Sequence, residues 1–146
     1  MHDSGTYALV IALGVALRLR AGRLGVHSLA PGYYVYTGSA LGGLSGRLRH
    51  HLKSAKRLHW HIDYLLQETT VAQIWYALGQ RRLECTWNAI VKGLPRANPC
   101  IPRFGASDCQ CSSHLTYFPT IPAFNLFEQK SKQSRLPEVY RLDLTK

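Results

Sequence analysis

Two stretches of this sequence carry most of its structural information: Gly5-Thr6-Tyr7 and Tyr34-Val35-Tyr36-Thr37-Gly38-Ser39-Ala40. Both are rich in aromatic and β-branched residues, which favour strands. The first opens a long apolar run, and the turn Ala30-Pro31-Gly32 precedes the second. We therefore predict two neighbouring strands that place Tyr7 and Tyr36 at one end of a sheet.

The remaining patterns predict a mixed α and β domain. Strands are expected at Gly5 to Leu13, Val15 to Arg20, Tyr33 to Thr37 and Val71 to Leu78. Helices are expected at Leu44 to Leu52, His59 to Gln67 and Leu83 to Val91, where apolar side chains recur at helical spacing. The first three strands are closely connected, so we expect a small, largely antiparallel sheet.

The length of 146 residues suits one domain with a real core. We expect that domain to cover residues 1–118, including a Cys- and His-containing loop at 99–115. Residues 119–146 are expected to form a C-terminal extension. In this extension Gln129 to Arg135 is polar and is interpreted as a mobile connector, whereas Tyr140 to Leu144 alternates as a strand does.

The charge balance points to a polyanionic partner. The chain has 18 Lys and Arg against 8 Asp and Glu, a formal charge of +10, and its apolar fraction of 46% is that of a globular protein. A positive surplus concentrates nucleic acid near a protein and speeds its capture. The alternative is that the charge serves solubility alone.

The sequence also bears on the compartment. The apolar run from Tyr7 to Leu17 is shorter than the roughly 20 residues of a membrane span, and it lacks the flanks of a signal peptide. We therefore expect a cytoplasmic protein without a membrane partner. Its four cysteines are expected to be thiols or metal ligands rather than disulfides.

Arg47, Glu84 and two longer phrases follow the tyrosine triplets in order. The phrases are Trp60-His61-Ile62-Asp63-Tyr64-Leu65 and Phe104-Gly105-Ala106-Ser107-Asp108-Cys109-Gln110-Cys111-Ser112-Ser113-His114-Leu115. Together these features resemble the GIY-YIG nuclease superfamily, most closely a GIY-YIG-like domain family of unknown function found alone or fused to DNA-repair enzymes. The resemblance implies an α/β (α+β) fold with a three-stranded antiparallel sheet flanked by helices. It also implies a metal-dependent DNA endonuclease that acts in repair or processing.

A catalytic site is predicted from five residues: Tyr7, Tyr36, Arg47, His51 and Glu84. One tyrosine would take a proton from water, which requires a neighbouring cation or metal-bound water to lower the phenol pKa from its usual value of about 10. Arg47 and His51 would contact the scissile phosphate. Glu84 would bind Mg²⁺ or Mn²⁺ through its carboxylate oxygens.

Four of these five residues also have a purely structural interpretation. The tyrosines could be sheet residues with their hydroxyls at the rim. Arg47 could be one solvated charge on a basic helix, and Glu84 could be a carboxylate favoured at a helix start. The combination in this order favours the catalytic interpretation.

Other basic and polar residues are candidates for contacts with nucleic acid. These are Lys53, Lys56, Arg57 and Ser39, which would contact the backbone without reading sequence. A solvated charged loop is the alternative for the three basic residues. His61 lies in a phrase that more often indicates packing and a histidine–aspartate hydrogen bond than catalysis.

Soft metal ligands cluster near the end of the predicted domain. Cys109, Cys111 and His114 are close in sequence, and Cys100 or Cys85 could supply a fourth ligand for Zn²⁺. The Cys-x-Cys-x-x-His spacing is not that of a standard zinc finger. A loop fixed by its own hydrogen bonds is therefore favoured over a zinc site.

Three functions compete on the sequence. The leading hypothesis is a metal-dependent endonuclease with DNA as its partner. The second is a non-catalytic nucleic-acid-binding module, and the third is a zinc-stabilised interaction protein. Convergence of Tyr7, Tyr36, Arg47 and Glu84 on one cleft would favour the first.

Overall fold

The computed structural model describes residues 3–53, 58, 60–106 and 109–144 of the chain. Its strands are β1 (Gly5–Leu13), β2 (Leu17–Arg20), β3 (Val26–Leu29), β4 (Gly32–Ala40), β5 (Thr70–Leu78), β6 (Asn98–Pro99), β7 (Leu115–Phe118) and β8 (Tyr140–Asp143). Its α-helices are α1 (Leu44–Leu52), α2 (His61–Leu66), α3 (Glu84–Lys92) and α4 (Phe124–Gln133). The predicted contacts Lys56 and Arg57 lie outside the described residues.

The main sheet has six strands in the order β6-β7-β4-β1-β5-β8, and all neighbouring strands are antiparallel. The mixed α and β class is confirmed, whereas the expected three-stranded sheet is too small. Three of the six strands have only two to four residues, too short to show a clear alternation. The predicted strand at Val15 to Arg20 exists as β2, but it pairs with β3 in a separate two-stranded sheet.

The pairing of β1 with β4 explains the two tyrosine triplets. Tyr7 lies directly opposite Gly38, and Leu9 lies opposite Tyr36, so both tyrosines project from the same face of the sheet. A Cβ atom on Gly38 would lie 2.6 Å from the Tyr7 hydroxyl oxygen. The glycine is therefore needed because the phenol of the neighbouring strand lies across it.

Helices cover both faces of the sheet. On the tyrosine face, the core includes Leu9, Ile62 and Leu65, which joins β1 to α2. On the opposite face, Trp75 of β5 and Trp87 of α3 are fully buried. The central strands are consequently buried on both sides, and their apolar runs reflect that burial.

The C-terminal segment packs on this same opposite face. Phe127 of α4 is fully buried, with its ring 5.0 Å from Trp75 and 4.8 Å from Trp87 between centroids. The interpretation of Gln129 to Arg135 as a connector is wrong, since most of it is helical in α4. The division between residues 118 and 119 stays a prediction. Within the described ranges, none of the helices has the length and apolar character to cross a membrane.

Candidate functional site

Four predicted residues meet at one end of the sheet, where β1, β4 and α1 come together. The Tyr7 hydroxyl oxygen lies 2.7 Å from Nε2 of His51, a buried hydrogen bond in which the phenol donates when Nε2 is unprotonated. The ring centroid of Tyr36 lies 6.3 Å from those of both Tyr7 and His51. Arg47 is one turn before His51 on α1. We call these residues, with Glu84, the sheet-end cluster.

Arg47 is held in place from two directions. Its guanidinium donates a hydrogen bond of 3.1 Å to the main-chain oxygen of Ser39 in β4. The same group lies 4.6 Å from the ring centroid of Trp60, a cation–π contact. Arg47 is therefore pre-positioned beside the two tyrosines rather than swinging free in solvent.

The negative charge of Glu84 affects the pKa values of both phenols. Burial raises the pKa of Tyr7 to about 12; the charge and hydrogen bond of Arg47 oppose this rise, and the charge of Glu84 adds to it. Burial also raises the pKa of Tyr36 well above its usual value, with Tyr7 and Glu84 adding to the rise. Desolvation thus outweighs the nearby cation for both phenols, and Arg47 by itself does not supply the lowered pKa that a tyrosine base requires.

A second histidine lies beside the cluster. His50 Nε2 is 3.1 Å from Oδ1 of Asp63, and the other carboxylate oxygen of Asp63 accepts a hydrogen bond of 2.9 Å from the Trp60 amide. The expected histidine–aspartate bond therefore forms with His50. His61 instead accepts a hydrogen bond of 2.9 Å from the Gly105 amide and so supports the loop that precedes β7.

Glu84 and Cys85 begin α3 at this same end of the sheet. The ligand atoms of Cys85, Cys109, Cys111 and His114 all lie within 4.8 Å of one another, so this group could hold a metal ion. We call it the Cys3His group. Of the two cysteines proposed as a fourth ligand, Cys85 lies in this group, whereas Cys100 packs against the apolar core on the tyrosine face.

His114 connects the two sets of residues. It is completely buried, and its Nε2 lies 3.3 Å from Sγ of Cys109 and 3.7 Å from Sγ of Cys85. Its Nδ1 lies 3.2 Å from the Thr37 carbonyl oxygen and 3.6 Å from Oε2 of Glu84. Burial lowers the pKa of His114, which favours a neutral ring.

The thiols of the Cys3His group also affect one another. Burial, followed by the neighbouring Cys111 and Cys109, raises the pKa of Cys85 to about 12. Several neighbouring thiols cannot all ionise to thiolates without a cation to balance their negative charges. The Cys85 thiol therefore stays protonated until a metal ion balances the charge of its thiolate.

Arg103, which the sequence did not mark, organises the loop that carries two of these cysteines. Its guanidinium donates hydrogen bonds to the carbonyl oxygens of Ala106, Cys109 and Cys111. Asn88 of α3 fixes the end of the loop by donating a bond of 2.7 Å to the carbonyl of Ser113. No periodic pattern in the sequence predicts these hydrogen bonds, since they depend on how the loop folds back on itself.

The predicted nucleic-acid contacts differ in their exposure. Ser39 is only 8% exposed, and its carbonyl orients Arg47. Lys53 is exposed at the end of α1 and, with His51 and Thr69, lines a cavity of about 290 Å³. Thr70 and Val71 line the same cavity and pair with Ala12 and Ile11, so Lys53 lies towards the end of the sheet away from Arg47.

Comparison with known proteins identifies one family. The model of the family described as Domain of unknown function DUF123 matches residues 6–135. Neither the curated proteins nor the solved structures contain a match. The assignment to the GIY-YIG nuclease superfamily is therefore wrong, since the matching family is a distinct one. The triplets are too short to identify a superfamily, and packing alone explains Gly38, since a Cβ atom there would lie 2.6 Å from the Tyr7 hydroxyl oxygen.

Proposed function

Since the chain belongs to the Domain of unknown function DUF123 family, whose description assigns no activity, we propose a function from the geometry of its sheet-end cluster. We propose that the protein hydrolyses phosphodiester bonds of DNA. The observation that carries the proposal is the meeting of a hydrogen-bonded phenol–imidazole pair, a guanidinium and a carboxylate at one end of the sheet.

The phenol–imidazole pair offers a route for the proton of an attacking water. A phenol with a pKa of about 12 is almost never ionised near neutral pH, so Tyr7 is a poor base by itself. Its hydroxyl can accept a proton from water while it passes its own proton to Nε2 of His51. Imidazoles ordinarily titrate near neutral pH and suit the final position of that proton. Tyr7 stays neutral throughout the transfer.

Arg47 would stabilise the phosphate in the transition state. Its planar guanidinium can form two parallel hydrogen bonds to phosphate oxygens, and the Ser39 and Trp60 contacts already restrict its orientation. A pre-positioned donor costs little reorganisation at the moment of reaction. The positioned guanidinium would therefore stabilise the negative charge that develops in the transition state more than it stabilises the bound substrate.

Glu84 would hold a divalent cation such as Mg²⁺ or Mn²⁺. The side chain of Glu84 is 22% exposed, so its carboxylate can be reached from solvent. Mg²⁺ commonly takes one or two carboxylates, several waters and substrate phosphate oxygens, so one glutamate fits this requirement. When bound, the cation would supply Lewis-acid stabilisation of the phosphoryl oxygens.

One observation favours a second candidate, a nucleic-acid-binding module without turnover. Tyr7 is completely buried and Tyr36 is only 8% exposed, which restricts the approach of a water molecule to either hydroxyl. Such a module would keep the basic surface and bind DNA without cleaving it. Binding in the absence of cleavage under every metal condition would select this candidate.

A cleavage assay with labelled single-stranded, duplex, flap and branched DNA tests the proposal. We expect Mg²⁺- or Mn²⁺-dependent products from the wild type. Glu84→Gln and Arg47→Lys are each expected to lower the cleavage rate by about 100-fold or more. Arg81→Lys, at an exposed position, is the control for a conservative arginine change. Cleavage that survives both Glu84→Gln and Arg47→Lys at full rate would contradict the proposed roles.

A further inference from the structure

We propose that the Cys3His group binds one zinc ion that fastens the start of α3 and the loop before β7 to strand β4. The four ligands are Cys85, Cys109, Cys111 and His114. The site adjoins the sheet-end cluster through the contact of His114 with Glu84, but its zinc would take no part in the proposed hydrolysis, so it can exist in a protein that cleaves nothing.

The spacing of the ligand atoms matches a tetrahedral site. With Zn–S of about 2.3 Å and Zn–N of about 2.0 Å, a tetrahedron has edges of roughly 3.8 Å between sulfurs and 3.5 Å between sulfur and nitrogen. The two sulfur–nitrogen distances at His114 are 3.3 Å and 3.7 Å. All four atoms lie within 4.8 Å of one another, so small side-chain movements complete the shell.

In the tautomer of His114 that its hydrogen bonds select, the lone pair of Nε2 faces the cysteine sulfur atoms. Nδ1 lies 3.2 Å from the Thr37 carbonyl oxygen, which can only accept a hydrogen bond, so Nδ1 carries the proton. Nε2 of the neutral ring then presents its lone pair to Cys109 and Cys85. A zinc-bound histidine characteristically donates its other N–H to a carbonyl or carboxylate, and here the Glu84 carboxylate is also 3.6 Å away.

The main chain around the ligands is already fixed without the use of any ligand atom. Arg103 donates to the carbonyl oxygens of Cys109 and Cys111, and Asn88 donates to that of Ser113. The His114 amide itself donates a bond of 2.7 Å to the Phe104 carbonyl. A pre-arranged loop lowers the entropy cost of bringing three chain segments to one ion.

The chemistry of the ligands selects zinc and a structural role. Three thiolates and one imidazole suit Zn²⁺, whereas Mg²⁺ and Mn²⁺ prefer oxygen ligands. Four protein ligands leave no open position for water, which is typical of structural sites. A disulfide between two of the cysteines would instead leave Nε2 of His114 facing fewer partners in a fully buried position.

Metal analysis of the untagged full chain, purified in reductant, tests the site. We expect about one zinc per chain in the wild type and in Cys100→Ser, a cysteine outside the group. Cys109→Ser should lose most of the bound zinc. A wild type that binds no zinc, even after incubation with excess Zn²⁺ in reductant, would overturn the proposal, as would full zinc retention by Cys109→Ser.

Cobalt substitution of the wild type keeps the test independent of whether a variant folds. Bound Co²⁺ should give intense tetrahedral d–d bands and a thiolate-to-metal charge-transfer band. Removal of the metal from the reduced protein should expose the three cysteines of the group, Cys85, Cys109 and Cys111, to a thiol reagent. Weak absorption bands typical of octahedral cobalt would contradict zinc ligation. A disulfide between two cysteines of the group that persists in the wild type after treatment with reductant would contradict it as well.

Discussion

At the scale of single residues, the structure places Tyr7 and Tyr36 on neighbouring strands, as the sequence predicts. Tyr7, Tyr36, Arg47 and His51 could all be chosen from the sequence, because strand pairing and helical spacing bring them together. Arg103 and the choice of Cys85 over Cys100 could not. Both depend on the path of an irregular loop, for which residue type gives no periodic signal.

The space above Gly38 leads to a prediction about stability. Gly38→Ala would place a Cβ atom 2.6 Å from the Tyr7 hydroxyl oxygen, and Tyr7 is fully buried and cannot easily move away. We expect the free energy of unfolding to fall by about 1–3 kcal/mol. Urea denaturation measures this change, with Gly46→Ala as the control. Gly46 is in α1 with open space around it, so alanine there should stabilise the chain by up to about 1 kcal/mol.

The raised pKa of Tyr7 predicts a loss of stability in alkaline solution. Arg47, His51, Asp63 and Glu84 surround this phenol, and burial is the main cause of the rise from 10.0 to about 12. The folded state therefore keeps the proton after the unfolded state has lost it, so stability is full below pH 10 and falls as the pH rises towards 12.

The comparison of wild type with Tyr7→Phe isolates this contribution. Between pH 9 and pH 11 the wild type should lose about 1.3 kcal/mol more of its unfolding free energy than Tyr7→Phe loses. Denaturant titrations at fixed ionic strength measure the difference. Parallel pH profiles for the two proteins would show that Tyr7 does not titrate as described.

At the scale of secondary-structure elements, long patterns were predictable and short ones were not. The nine-residue strands β1, β4 and β5 contain enough apolar residues to be predicted from the sequence. Strands β6, β7 and β8 are defined by their partners rather than by their own sequences. Helix α4 was missed because its burial depends on few residues, chiefly Phe127.

The loop between β6 and β7 provides a prediction at this scale. Arg103→Lys keeps the positive charge but loses the fork that serves three carbonyl oxygens. We expect a destabilisation of about 1–3 kcal/mol and faster proteolysis within the loop. Thermal denaturation and limited proteolysis measure these effects, with Arg81→Lys as the control. Unchanged behaviour of Arg103→Lys would mean that water replaces the lost hydrogen bonds.

At the scale of the whole molecule, the net charge of +10 sets the expected mode of DNA binding. The sequence provides that total, but only the fold shows that Arg47 lies at the Ser39 end of the sheet and Lys53 beside Thr70 and Val71, towards the other end. Anisotropy titrations with labelled DNA should show log Kd rising linearly with log salt concentration. Lys53→Gln should reduce the slope of log Kd against log salt concentration by about 1, the change expected from the loss of one phosphate contact. Affinity that does not change with salt would exclude a backbone-dominated interface.

The most direct test of the proposed hydrolysis is the single-turnover cleavage rate of Tyr7→Phe beside that of Tyr34→Phe. Each variant loses one hydroxyl that makes a hydrogen bond, to His51 in one case and to the Ala30 carbonyl in the other. We predict that Tyr7→Phe cleaves DNA about 100-fold or more slowly than the wild type, whereas Tyr34→Phe stays close to the wild-type rate. Equal rates for the two folded variants, or no cleavage by the wild type with any divalent cation, would contradict the proposed role of Tyr7.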